Sequence, residues 1–206
     1  MNASTAARQR PTRREFLNAT ARATAATALA GLALPAVHAA EDNTIRLAII
    51  GCGGRGTGAV ANALEAPSGP TKLVAMADLF EDRLIRSYQS LREKYGERVD
   101  VPADRRFLGF DAYRHAIEAL RPGDVVLCTT HAAFRPRHVE YAVEKGLHVF
   151  MEKTFAPDPA GVKRILRAGE AAERKGLKIA AGVMCRHSSA RQALIQRIRE
   201  GALGDI

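Results

Sequence analysis

The stretch Gly51-Cys52-Gly53-Gly54-Arg55-Gly56 constrains the fold more than any other, because it separates the apolar run Ile45-Arg46-Leu47-Ala48-Ile49-Ile50 from a helical pattern. Glycines at this spacing let a chain leave a strand through a tight turn (Gly51), admit a close backbone approach (Gly53) and pack a helix tightly on its strand (Gly56). The unpaired N–H groups and the positive dipole end of such a helix face outward and attract phosphate. A second apolar run, Leu73-Val74-Ala75-Met76-Ala77, ends in Asp78, 22 residues past Gly56. The dinucleotide-binding fingerprint expects an acid there to accept hydrogen bonds from ribose hydroxyls. Two readings stay open at single residues. Asp78 also suits a helix N-cap, since Leu79-Phe80-Glu81 begins a helical stretch. Arg55 fits either a phosphate contact or an exposed helix face.

Beyond the glycines, short apolar runs alternate with helical patterns, the mark of a parallel sheet built from βαβ units. Strands are predicted near 45–50, 72–77, 105–107, 124–129, 147–151 and 177–182. Helices are predicted from about Thr57 to Leu64, Asp82 to Lys94, Asp111 to Ala119, from Pro136 onward, Pro159 to Lys175 and Ala190 to Glu200. The fold class is therefore α/β, a Rossmann-like doubly wound parallel sheet over 45–186. Residues 187–206 are expected to form a connecting helix and only the start of a second, α+β domain. The net charge of +9 does not read as a nucleic-acid surface. Five arginines against one glutamate within the first 39 residues account for +4 of it, and the remaining basic residues have acidic neighbours. Three cysteines, Cys52, Cys128 and Cys185, have no metal-ligand spacing and cannot close into a complete disulfide framework. His131 and His138 lack a carboxylate or thiol at ligand spacing, so no metal site is expected.

The first 39 residues read as a leader. Thr12-Arg13-Arg14-Glu15-Phe16-Leu17 is a paired-arginine pattern, followed by a mildly apolar stretch from Ala19 to Ala36 and by Val37-His38-Ala39. The segment is too weakly apolar for a stable membrane span, and its small residues suit cleavage after Ala39. It resembles twin-arginine signals, which implies the twin-arginine export machinery as a partner and a periplasmic or other extracytoplasmic location. Residues 40–44 form a short polar linker.

His148-Val149-Phe150-Met151-Glu152-Lys153-Thr154, after Tyr141-Ala142-Val143-Glu144-Lys145-Gly146, resembles the E-K-P segment of the Gfo/Idh/MocA oxidoreductases. The resemblance extends over 45–206, through the glycine loop, the acid after the second strand, the loop after the fourth strand and the closing Gly201-Ala202-Leu203-Gly204-Asp205-Ile206. It implies that Gly51, Cys52, Gly53, Gly54 and Gly56 hold the cofactor's pyrophosphate and that Asp78 holds its adenosine ribose. Thr129, Thr130 and His131 would line the nicotinamide half, while Glu152 and Lys153 would face the reacting end and Arg186 the cleft. His187 is a further basic residue there, although a lone histidine is more often structural. The cofactor implied is NAD rather than NADP, and the substrate a sugar or polyol alcohol. Two departures stand out: Thr154 replaces the family's usual proline, and Thr130-His131-Ala132-Ala133 has alanine where the T-P-x-H pattern has histidine.

Hydride transfer from an alcohol needs a group to receive the hydroxyl proton, and Lys153, directly after the fifth strand, is the candidate catalytic residue. The family's acid and base residues of the second domain are not among the 206, so this length alone is expected to be inactive. A homo-oligomer formed through that second domain is compatible with the resemblance. Two other functions stay open: a glycosidase or lyase using NAD for transient oxidation, and a non-catalytic dinucleotide-binding fragment.

Overall fold

The computed structural model describes residues 43–67 and 69–204. The predicted leader over 1–39, most of the linker and the last two residues lie outside the described residues. Strands β1 (Ile45–Ile50), β2 (Thr71–Asp78), β3 (Arg106–Leu108), β4 (Val125–Cys128), β5 (His148–Met151) and β6 (Ile179–Ala181) form one sheet in the order β3-β2-β1-β4-β5-β6. Every neighbouring pair is parallel. The helices are α1 (Gly54–Glu65), α2 (Glu81–Tyr95), α3 (Ala112–Glu118), α4 (Arg135–Glu144), α5 (Pro159–Arg174), α6 (Met184–His187) and α7 (Ser189–Arg199). This is a doubly wound, Rossmann-like α/β fold. Strand order reverses between β1 and β4, and in such sheets the connections part there, leaving a crevice at the carboxyl edge where ligands bind.

Period-two alternation sends successive side chains of a strand to opposite faces. Leu47 and Ile49 pack with Val60, Leu64, Leu84 and Leu91 under α1 and α2. Ala48 and Ile50 pack with Ala116, Val139 and Ala168 under α3, α4 and α5. Alanine recurs through this second core cluster. Register between β1 and β2 shifts after Leu47, which pairs with Leu73 while Ala48 pairs with Ala75. The extra residue puts Val74 and Ala75 into the same core layer, a bulge that the apolar run did not reveal.

Local chemistry explains the helix ends. Asp158 caps α5, its carboxylate accepting from the Gly161 N–H at 2.6 Å, with Pro159 at the first helical position. Helix α1 starts at Gly54, earlier than the predicted Thr57, because the Gly53 carbonyl already accepts from the Thr57 N–H at 2.9 Å. The glycine run is thus the first turn of the helix as well as the turn before it. The short helix α6 was not anticipated. Among the described residues, no helix is long and apolar enough to cross a membrane.

Candidate functional site

The residue that follows β1, β4, β5 and β6 continues the backbone ladder by one rung. Gly51 N–H donates to Ala77 O at 2.8 Å, Thr129 N–H to Ile50 O at 2.9 Å, Glu152 N–H to Cys128 O at 3.1 Å and Gly182 N–H to Met151 O at 2.8 Å. Gly51, Thr129 and Glu152, far apart in sequence, therefore stand side by side along the carboxyl edge.

The glycines of the loop are required for different reasons. Gly51 has φ of +99°, and a Cβ there would lie 2.8 Å from the Thr130 nitrogen. A Cβ on Gly56 would lie 1.9 Å from the Gly51 carbonyl oxygen, so the helix could not close on the strand. Gly53 differs: its φ is −70° and nothing lies within 4 Å of an added Cβ. Neither backbone nor packing demands glycine at 53, and what its bare Cα leaves is an open approach to the start of α1. That helix has no side-chain cap and no carboxylate in its first turn, so its first N–H groups face outward as an anion site. These features fit the diphosphate of a dinucleotide.

Asp78 is buried at the end of β2. Its Oδ2 accepts from the Cys52 N–H at 2.5 Å and its Oδ1 from the Phe80 N–H at 2.9 Å. It is not the N-cap of α2, whose cap position is Phe80, but ties the glycine loop to the β2 exit. Each carboxylate oxygen keeps a lone pair for a ribose hydroxyl. Cys52 lies against it, buried, and its thiol is pushed far up by burial and then by the Asp78 charge. Cys128 is pushed up to about 12 by burial, which the Arg135 charge opposes. Both stay neutral, free thiols, while Cys185 is free and exposed.

The loop after β4 is braced from both sides. Thr129 Oγ1 donates to the Gly51 carbonyl at 2.6 Å. Thr130 shares a hydrogen bond with His138 Nδ1 at 3.2 Å, and its carbonyl accepts from Arg135. His131 accepts from the Ala133 N–H at 3.3 Å within the turn. His138 is pulled down to about 4, first by burial and then by the charges of Arg135 and Arg137, so it is neutral at pH 7. Its ring stacks on Tyr113, with centroids 4.4 Å apart.

At β5, Glu152 is buried and Lys153 is exposed. Glu152 Oε1 accepts from Arg55 Nε at 2.5 Å, and Oε2 from the Lys153 N–H at 3.1 Å. The peptide between Lys153 and Thr154 is cis. Arg186 and His187 lie on α6, both exposed, and the Arg186 carbonyl accepts from Gln192 Nε2 at 2.8 Å. Among the described residues, no hydrogen bond or ion pair joins them to the glycine loop.

Three features escaped sequence reasoning. Arg55 bridges α1 to β5, and Arg135 is 2% exposed although it is an arginine. Phe110 and Phe134, both exposed with centroids 6.0 Å apart, flank a cavity of about 50 Å³ whose lining also includes Asp78, Leu79, Tyr113 and His138. Two exposed aromatics separated by 24 residues carry no periodic signal. A larger groove of about 690 Å³ runs between α1 and α2 past Gly53, Thr57, Arg83 and Ser87. It touches the loop at one end and is otherwise helix surface, so the strand-end cavity is the better frame for a ligand held by Asp78.

No family model and no curated protein matches the chain. Solved structures do. Myo-inositol 2-dehydrogenase from Lactobacillus plantarum is 21% identical with a TM-score of 0.61, over 79% of this chain and 43% of that one. A 3-ketoreductase from Actinomadura kijaniata, solved with NADP, is 25% identical with a TM-score of 0.57, over 80% and 46%. Scyllo-inositol dehydrogenase from Lactobacillus casei is 22% identical with a TM-score of 0.56, over 79% and 44%. The chain thus spans less than half the length of these structures. Two are inositol dehydrogenases and one a 3-ketoreductase, and the likeness establishes the doubly wound α/β fold.

Proposed function

We propose that the chain is the nucleotide-binding part of an NAD(P)-dependent oxidoreductase of the Gfo/Idh/MocA family, acting on a sugar or polyol alcohol and preferring NAD. The observation that carries this reading is Gly53, which neither its backbone conformation nor its packing requires and which opens the N-terminus of α1 beside a buried strand-end aspartate. The dehydrogenases and the NADP-bound ketoreductase of similar fold support it.

When bound, the nicotinamide supplies the hydride acceptor. The N–H groups of Gly53 and Gly54 hold the diphosphate, and Asp78 orients the adenosine ribose. Phe110 and Phe134 offer exposed faces against which a flat base can lie. Thr129, Thr130 and His131 stand beside Gly51, toward the nicotinamide half. Lys153 stands at the end of β5, where its side chain would hold the substrate oxygen and take part in the relay that carries off the hydroxyl proton. Asp78, with Glu81 and Asp82 in the first turn of α2, disfavours a 2′-phosphate. The paired arginines Arg13 and Arg14 direct export by the twin-arginine route.

Titration of the chain with both cofactors tests the reading: tighter binding of NAD is expected, and Asp78→Asn should narrow the difference. Binding of neither would overturn it. In a form of the protein that turns over substrate, Lys153→Met should lower kcat about 100-fold with little change in NAD affinity. Lysine at both 13 and 14 should leave the leader uncleaved.

A further inference from the structure

Two peptide units of the glycine loop are fixed in different ways. In a trans peptide the carbonyl and the next residue's N–H point in opposite directions, so holding one aims the other. Across Gly51–Cys52 both ends are taken: the carbonyl accepts from Thr129 Oγ1 at 2.6 Å and the Cys52 N–H donates to Asp78 at 2.5 Å. Across Gly53–Gly54 only the carbonyl is held. It accepts twice from one residue, from the Thr57 N–H at 2.9 Å and from Thr57 Oγ1 at 3.1 Å. The Gly54 N–H, at the first position of α1, has no protein acceptor among the described residues.

Thr57 does not act alone. Ser87, on α2 and 3% exposed, places its Oγ 2.8 Å from Thr57 Oγ1. A carbonyl oxygen cannot donate, so the one hydroxyl proton of Thr57 is committed to Gly53 and Ser87 is the donor to Thr57. The hydroxyls thus form a directed relay, Ser87 to Thr57 to the Gly53 carbonyl, ending on the peptide whose N–H is free at the start of the helix. A threonine bonding back to the carbonyl four residues earlier is ordinary inside a helix. Here that carbonyl belongs to the cap residue, Gly53, and a buried hydroxyl from a second helix completes the chain. Thr57 and Ser87 both line the groove that reaches Gly53 and Gly54. Hydrogen bonds in series polarise one another, so the relay strengthens the Gly54 N–H as a donor besides aiming it. We propose that Thr57 and Ser87 are positioning residues for the nucleotide's diphosphate: their relay holds the Gly53 carbonyl into the helix and so presents the Gly54 N–H to a phosphate oxygen. The relay rests on the nucleotide-binding reading above and adds to it two side chains that act through one peptide unit.

ADP and adenosine are the probes, because they differ in the diphosphate alone. Thr57→Val keeps the shape of the side chain and removes its hydroxyl; it should weaken ADP about fivefold, part of the worth of one hydrogen bond to a charged group, and leave adenosine unchanged. Thr57→Ser returns the hydroxyl and should restore wild-type binding. Ser87→Ala should weaken ADP about threefold and add nothing in the Thr57→Val background, as coupled residues do. If the two hydroxyls only pack α1 on α2, ADP and adenosine weaken together, in step with the urea midpoint, and Thr57→Ser, which lacks the methyl, restores neither. That result, or ADP binding by Thr57→Val equal to wild type, overturns the relay and leaves the nucleotide reading standing. Should Thr57→Val fail to fold, Ser87→Ala decides by the same comparison of ADP with adenosine. Wild-type chain that binds none of ADP, NAD and NADP overturns both.

Discussion

Two aspartates at opposite edges of the sheet use the same chemistry to different ends. At the amino edge, Asp124 accepts from the Arg46 N–H at 3.1 Å and the Arg121 N–H at 2.8 Å, tying the turn before β4 to the start of β1. At the carboxyl edge, Asp78 accepts from the Cys52 and Phe80 N–H groups, tying the glycine loop to the exit of β2. Both are buried and both satisfy two backbone donors. Asp124 also has the Arg121 guanidinium 3.9 Å away, whereas Asp78 lines a cavity beside an uncapped helix start. A buried aspartate is therefore not a binding residue by virtue of its bonds. The edge on which it stands decides, because the strand ends part at the carboxyl edge alone.

The largest effect expected at that edge comes from Gly56→Ala, whose Cβ would meet backbone at 1.9 Å. It should cost about 3 kcal/mol or more in urea unfolding and abolish NAD binding, since overpacking against backbone has no cheap relief. Gly53→Ala, three residues earlier, should cost less than about 1 kcal/mol yet weaken NAD about tenfold. Equal stability losses in the two would erase the distinction between a packing glycine and an approach glycine.

Next in size, Asp78→Ala and Asp124→Ala should each cost about 2–4 kcal/mol, since each leaves two buried N–H groups unpaired. NAD titration should separate them: affinity falls about tenfold or more in Asp78→Ala and is unchanged in folded Asp124→Ala. If both variants bind NAD like wild type, the two edges are equivalent and Asp78 is structural only.

The smallest effect is a pH dependence at His138. Its folded value, about 4, lies below the unfolded value of 6.5, so the unfolded chain binds the extra proton first. The stability tied to a neutral His138 is complete above about pH 6.5 and is lost as pH falls toward 4. Between pH 7 and pH 5.5 the loss should be about 1 kcal/mol, and His138→Gln should flatten that slope in unfolding midpoints. An unchanged slope would place the titrating group elsewhere.

Much of this was legible in the residues. The six strands and the six longer helices were read within a few residues of their ends, because apolar period and breaker residues are local signals. The glycine loop and Asp78 were legible because their spacing is imposed by one βαβ unit. Arg55 and Arg135 were not. An arginine on a helix looks exposed in any one-dimensional reading, and only a partner 97 residues away, Glu152, gives Arg55 its role. The bulge in β2 was hidden too, since an all-apolar run looks the same in either register.

The sequence by itself determined the βαβ alternation, the place of the glycine turn and the acid after the second strand, all products of neighbours along the chain. The tertiary structure alone decided which glycine is packed and which is open, that Asp78 and Asp124 share a device but not an edge, and that Glu152 pairs with Arg55. The physical reason is that these depend on what approaches from elements tens of residues away, and burial, close contact and unpaired donors exist only once the sheet has assembled them.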